Sequence, residues 1–359
     1  MASTKTIVAD PEGDVLLLLE PTEKAQTSKT KVLCSSKHLR LASAVFKAML
    51  RPNVYNEGTV LSHVGKVEIP LLEDNTEIMT TLVLLIHGRH QHPNLRPMEN
   101  VESLCQAAIL VDKYQMHEAT NFLTAQWAGA YFHDYPVLAH PLSDLPLLLC
   151  ITWVFNMADD FKVITRQIKH ETVGSIIDSV ASFHIDLPIP QSVIQKLENS
   201  RNSDIRSVYE GIRLMITNRE NYIDSSRRFC KATSRSDTVA DVHEAQEHRK
   251  RCDRVVLDSL ISGALEFGLW PLDVARSLAS TSSFYRVTQK AINLEFTTEC
   301  ERLMDLHIDH TGIVYEFGSL RRIKRGIEAG VKEIEERLTG LNLKFEKRRF
   351  DMPMLETHR

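Results

Sequence analysis

Apolar runs long enough to cross a bilayer are missing from this 359-residue chain. A helical span needs roughly 18 or more consecutive apolar residues, and the nearest approach, Leu145 to Phe155, stops short. The opening residues Met1-Ala2-Ser3-Thr4-Lys5-Thr6 are polar and lack the apolar core of a secretory signal. No membrane partner is expected, and the expected compartment is cytoplasm or nucleus, where thiols stay reduced. A basic excess is missing as well, since 43 Lys and Arg stand against 47 Asp and Glu for a net charge of −4. Phosphate backbones are bound through such an excess, so a nucleic-acid partner is not expected. Closely spaced cysteines are absent: Cys34, Cys105, Cys150, Cys230, Cys252 and Cys300 are scattered. Cys34, Cys105 and Cys150 lie in apolar runs and read as small core residues. No Gly-x-Ser-x-Gly elbow, Walker-type loop or G-x-G-x-x-G fingerprint occurs. These absences point to a chain that is not an enzyme and carries no cofactor.

What is present begins with turn residues Pro11-Glu12-Gly13-Asp14 opening onto Val15-Leu16-Leu17-Leu18-Leu19. A short apolar run bounded by turn residues predicts a strand buried on both faces. Lys31-Val32-Leu33-Cys34 predicts the returning strand of a hairpin. Ser35 and Ser36 are N-cap types. Leu39, Ala42 and Phe46 follow at helical spacing, with Ser43 capping a second short helix that ends near Leu50. Arg51 to Lys66 reads as a loop, and Val67 to Leu71 as a strand that Pro70 confines to a sheet edge. Asp74 with Glu77 predicts the start of a helix carrying Ile78, Leu82, Leu85 and Ile86, with Gly88 just past its end. Asn100 caps another helix through Tyr114, and a further helix runs from His117 to about Tyr131.

From Leu145 onward no strand-length alternation appears. Helices are predicted over Leu145–Met157, Asp160–Glu171, Gln191 to about Phe229, Val255–Phe267 and Leu272–Ala279. Ile327, Val331, Ile334, Leu338, Leu341 and Phe345 alternate gaps of four and three, a short heptad-like seam interrupted by Gly340. The expected class is α+β, a small sheet with helical hairpins followed by an all-α region. The expected organisation is 10–132, a helical extension over 133–230, and a helical C-terminal region over 231–359 that ends in the amphipathic helix.

Gly13-Asp14-Val15-Leu16-Leu17-Leu18-Leu19, the run from Cys34 to Leu50, Glu68-Ile69-Pro70-Leu71, Leu84 to Arg89 and Leu110 to Tyr114 stand in order along residues 13 to 130. Together these blocks resemble a BTB/POZ domain of the fungal type. The resemblance implies a protein-interaction module. Its partner would be a second copy of the chain in a homodimer, a cullin scaffold of a ubiquitin ligase, or a transcriptional complex. It also implies core or motif roles for Asp14, which would hold a turn or cap, and for Leu39, Ser43, Phe46 and Leu50. Where animal members of the family have a histidine four residues before the leucine matched by Leu39, this chain has Ser35. Only thirteen residues precede Asp14, which leaves little room for the N-terminal element that many such dimers exchange. Shorter blocks around Ile151–Phe155, Val256–Leu260, Gly268–Pro271 and Gly340–Leu343 resemble the tail of fungal BTB proteins.

Metal-competent residues in the second half are Cys230, Cys252, Cys300, His307 and His310. Zinc takes about four converging thiolates or imidazoles, and only His307-x-x-His310 has close spacing. Relatives of this tail often carry a His-x-x-Cys before the final helix, where the best alignment here puts Tyr315 and Gly318. Core or surface roles are therefore expected for Cys252, Cys300, His307 and His310. The alternative is a zinc-binding helical domain of regulatory or catalytic role. Asp159-Asp160 fits a helix start, and His87–His92 a solvated turn. The clusters His248-Arg249-Lys250-Arg251, Arg321–Arg325 and Lys347-Arg348-Arg349 read as solvated helix faces or import signals.

Overall fold

The computed structural model describes residues 4–20, 29–134, 139–183, 185–223, 228–234, 237–271, 281–305, 313–314 and 319–351. It is mixed α+β. The chain divides into two compact units, one of Met1–Thr165, Phe183–Gln191 and Gly340–Arg359, the other of Arg166–Ser182 and Ser192–Thr339. This division differs from the three segments 10–132, 133–230 and 231–359 read from the sequence.

In the first unit a four-stranded sheet is built from β1 (Thr4–Val8), β2 (Val15–Leu19), β3 (Lys29–Cys34) and, later in the chain, β4 (Val67–Leu71), in the order β1-β3-β2-β4. β2 and β3 form the expected antiparallel pair, with Leu17 opposite Val32. β4 runs parallel to β2 and occupies an edge, so Pro70 carries no ladder burden on its outer side. Val15, Leu17 and Leu19 are fully buried and Leu16 and Leu18 only half-buried, so β2 has one core face, not two. β1 was not foreseen. It pairs parallel with β3 of its own chain, placing Ile7 opposite Val32.

Between β3 and β4 lie α1 (Ser36–Ala42), α2 (Ala44–Met49) and α3 (Asn56–Val64). α3 corrects the loop expected over 51–66. Gly58 is a packing residue there, since a Cβ would sit 2.3 Å from the Arg51 carbonyl oxygen. α4 (Thr76–Ile86) is capped by Asn75, whose side chain accepts from Glu77 N and Ile78 N. Asp74 instead turns inward, accepting from Tyr114 Oη at 2.5 Å and Lys113 Nζ at 2.7 Å. Gly88 ends the helix at φ +68°, with Gly88 N donating to Leu85 O and Arg89 N to Leu84 O. α5 (Val101–Lys113) is capped by Asn100, and α6 is His117–Asp134. α7 (Leu145–Val154) is apolar on nearly every side and packs on α5, where Cys150 hydrogen-bonds Cys105. Among the described residues, no helix is long and apolar enough to cross a membrane. α8 is Ala158–Glu171.

The second unit contains α9 (Ile176–Ala181), α10 (Gln191–Ile223), β5 (Thr233–Ser234), α11 (Val239–Glu266), α12 (Phe284–Ile292), α13 (Glu299–Asp305), β6 (Ile313–Val314) and α14 (Ser319–Arg337). α15 (Leu343–Asp351) belongs to the first unit. Ile205, Val208, Ile212 and Ile216 of α10 share a core with Leu260, Phe284, Val287, Ile327, Val331, Ile334 and Leu338. Ile327, Val331, Ile334 and Leu338 of the heptad-like seam therefore pack inside the second unit, while Leu341 and Phe345 belong to the first. Phe345, the seam's last member, is half-exposed on α15. The wholly buried Arg201 binds the Ser282 carbonyl at 2.7 Å and Glu198 at 3.5 Å. Glu198 in turn accepts from Ile176 N at 2.6 Å, which ties α9 to α10. The all-α expectation for this region needs one correction: β5 and β6 form a two-residue antiparallel ladder. The expected helix Leu272–Ala279 lies outside the described residues.

Candidate metal centre

Four residues that are far apart in sequence meet in the second unit: Cys230, His248, Cys252 and Cys300. α11 supplies two of them. Thr238 caps this helix, accepting from Asp241 N at 3.3 Å. Four residues apart on one helix, His248 and Cys252 share a face one turn from each other. The residue after Cys252 brings in the third ligand. Asp253 is buried, and its carboxylate accepts from Cys230 N at 2.9 Å and Phe229 N at 3.0 Å. The neighbouring β5–β6 ladder fixes the chain just beyond Cys230. Cys300 arrives in the first turn of α13, where Thr298 Oγ1 accepts from Glu301 N at 3.0 Å. Ser259 of α11 clamps the approach to that helix by accepting from Thr297 N at 3.1 Å.

The ligand atoms all lie within 4.8 Å of one another. Cys230 Sγ is 3.6 Å and Cys252 Sγ 3.8 Å from Cys300 Sγ, and His248 Nε2 is 3.1 Å from that sulfur. A tetrahedral zinc with Zn–S bonds of about 2.3 Å separates its sulfurs by about 3.8 Å. The observed spacing fits that geometry and is far too long for disulfides; all three cysteines are free thiols.

Electrostatics agree with ligation. The Cys252 thiol is held down to about 2, first by its hydrogen bonds with Cys230 and Cys300, and further by the backbone N–H groups of Cys300 and Glu299. Cys230 is pushed up by hydrogen bonding to Cys252 and Cys300 and by burial, while the Ala232 N–H works against that rise. Cys300 stands at about 12: the Cys230 hydrogen bond lowers it, and the Cys252 hydrogen bond and burial outweigh that. The three sulfurs share their hydrogen bonds, and backbone N–H groups are already aimed at two of them, Cys252 and Cys230. Burial keeps His248 neutral by lowering its pKa, and neutral imidazole is the ligating form. All four residues are buried. A soft, closed Cys3His set suits zinc in a structural role, because no coordination position is left for water or substrate.

Of the metal-competent residues named from the sequence, the structure brings Cys230, Cys252 and Cys300 together, whereas His307 and His310 lie outside the described residues. Cys252 and Cys300 are buried, as a core role requires, and their sulfurs also belong to a group that could hold a metal ion. His248, which the sequence places in a basic cluster, completes the group. The signal that could have found it is the His248-x-x-x-Cys252 spacing.

The residues singled out in the first unit sit in its interior. Leu39, Phe46 and Leu50 are at most 1% exposed. Phe46 stacks on Tyr114 with ring centroids 4.8 Å apart. Ser43 Oγ accepts from Phe46 N at 3.0 Å and donates to the Tyr114 carbonyl at 2.5 Å. Asp14 caps α1 from 22 residues away, accepting from Ser36 N at 2.7 Å and Ser36 Oγ at 2.6 Å. Ser35, at the N-cap position itself, makes no side-chain cap. Comparison with protein-family models, curated proteins and solved structures returns no match.

Proposed function

We propose that the chain is a non-catalytic protein-interaction adaptor: a BTB/POZ-type first unit joined to a helical unit closed around a structural zinc ion. The observation that carries the reading is the four-ligand set of Cys230, His248, Cys252 and Cys300, all buried and confined within 4.8 Å. In this reading zinc supplies cohesion, not chemistry, because its whole tetrahedral shell would come from protein. Asp253 would hold the Cys230 segment in place for the ion. The ordered placement of Asp14, Leu39, Ser43, Phe46 and Leu50 in the first unit supports the interaction half of the proposal. The partners that the BTB resemblance implies are a second copy of the chain, a cullin scaffold or a transcriptional complex.

Elemental analysis of purified full-length protein is expected to find one zinc per chain, lost in Cys252→Ser and in Cys300→Ser. A stably folded chain without metal would end the zinc half. The interaction half is tested by light scattering for self-association and by titration with a purified cullin. A monomer that does not bind the cullin would remove those two partners and leave the transcriptional complex.

A further inference from the structure

Beside the cysteine cluster the second unit opens into a cavity of about 990 Å³. This is at the upper end of the size usual for small-ligand sites, roughly 300–1,000 Å³. Its charge is lopsided for a chain of net charge −4: among the described residues, Arg219, Arg228, Lys231, Arg249 and Lys250 line it, against one acid, Asp253. Both oxygens of that carboxylate already accept from backbone N–H groups. Lys250 is answered by Glu247 at 2.6 Å, and Arg228 donates to the Tyr222 and Ile223 carbonyls.

Arg219 is different. It is 8% exposed, lies with its Cζ 4.4 Å from the centre of the Phe229 ring, and its Nε has no hydrogen-bond partner among the described residues. Arg249 Nε is likewise buried and without a partner among them. A guanidinium presents five donors, and holding one out of water without acceptors is costly. The arginines could be balancing the metal centre, but three thiolates on a divalent ion leave only about one negative charge. Planar guanidinium forks match phosphate oxygens in pairs.

We infer that this cavity binds a small, multiply phosphorylated molecule, with Arg219 and Arg249 as its principal anchors. The concave form favours a compact ligand over a nucleic-acid backbone tracked along an open face. The inference is independent of the partner proposed for the first unit, and it uses the metal centre only as the neighbouring wall.

The test is calorimetric titration of the full chain, as purified, with inositol hexakisphosphate and with inorganic tripolyphosphate. Binding is expected to weaken steeply with added salt. It is expected to fall by about tenfold or more in Arg249→Gln and in Arg219→Gln, removing one charge-assisted contact each. Arg249, being only half-buried, is the variant whose folding is least in question. No binding of either compound, or binding unchanged by both substitutions, would overturn the inference. So would a single- or double-stranded oligonucleotide binding at least as tightly through the same two arginines. Zinc content measured on each variant separates the claims. Variants that lose metal but keep their anion affinity would show that the arginines serve the thiolates. A metal-free parent that still binds the phosphates would sink the zinc reading alone.

Discussion

The six cysteines divide evenly between the two units, and the same buried thiol does different work in each. In the first unit Cys34 is pushed up by burial and then by Asp14, and Cys150 by its hydrogen bond to Cys105 and by burial. Both behave as small apolar residues that stay protonated. In the second unit Cys252 is equally sheltered, yet hydrogen bonds from Cys230, Cys300 and backbone N–H groups lower its pKa. What separates the cases is the company each sulfur keeps. Cys150 sits in the apolar α7, packed on α5, whereas Cys252 faces two more sulfurs, an imidazole and backbone N–H groups. Burial alone therefore says little about a cysteine. Convergent polar partners distinguish a ligand from a core residue.

The comparison breaks first and hardest at Cys252. Structural zinc contributes on the order of 10–16 kcal/mol of apparent binding energy in small zinc domains. Cys252→Ser, or a strong chelator, is expected to abolish cooperative unfolding of the second unit while the first still unfolds as a unit. Hydrogen exchange resolved by segment checks this. Protection lost around α11 and α13 with α4 and α5 unchanged is the expected pattern; uniform loss would refute the division. Cys150→Ala, by contrast, is expected to cost only about 1 kcal/mol, as a small core truncation does.

Phe46→Ala attacks the other unit. Removing a wholly buried phenyl ring stacked on Tyr114 is expected to cost about 3–5 kcal/mol. Denaturant titration would show the loss in the first unit, and zinc content should not change. A variant that lost its zinc would mean the two units are not energetically separate.

How much of this was readable in advance follows the same division. In the first unit the determinants are local: alternating or helical apolar spacing, capping residues such as Ser43 and Asn100, and Gly88 at a helix end. Each acts within a few positions, so β2, β3, β4, α4 and α5 were legible. The misreadings there have non-local causes. α3 was hidden because Gly58 looked like loop punctuation, while its real role is close approach to the Arg51 backbone. β1 is short and carries Thr4, Lys5 and Thr6, and only pairing with β3 makes it a strand. In the second unit the helices were legible and the centre was not. Its ligands come from positions 230, 248, 252 and 300, so no hairpin-like pair announces them. A search for closely paired ligands passes over a site assembled by tertiary packing, and a run of basic residues concealed His248.

Asp14→Ala is a smaller test, aimed at a cap supplied across the sheet. The carboxylate serves both the N–H and the hydroxyl of Ser36. Losing an N-cap usually costs about 0.5–2 kcal/mol, and a charged acceptor puts this case toward the upper end. Asp14→Asn, which keeps an acceptor, should recover part of the loss in the same denaturant titration. Equal losses for both variants would mean the charge, not the cap, is what matters.

The smallest effect is a pH dependence confined to the first unit. His87 lies at the end of α4, its Nδ1 2.7 Å from the Val83 carbonyl oxygen, while Ser35 N donates to Nε2 at 3.0 Å. That pairing requires neutral imidazole, with the proton on Nδ1. Its pKa is lowered, first by burial and also by His38, whose ring is 4.8 Å away; Asp10 opposes the shift. A histidine depressed in the folded state takes up its proton more readily when unfolded, so the unfolded state binds more protons below about pH 6.5. Stability from this group is complete above that pH and declines as pH falls through the lowered folded value. Subtracting the stability of His87→Gln from that of the parent at each pH cancels the other titrating groups. The difference is expected to shrink from about pH 7.5 to about pH 5.5. A difference that stays constant, or grows on acidification, would show that His87 is not held neutral by its burial.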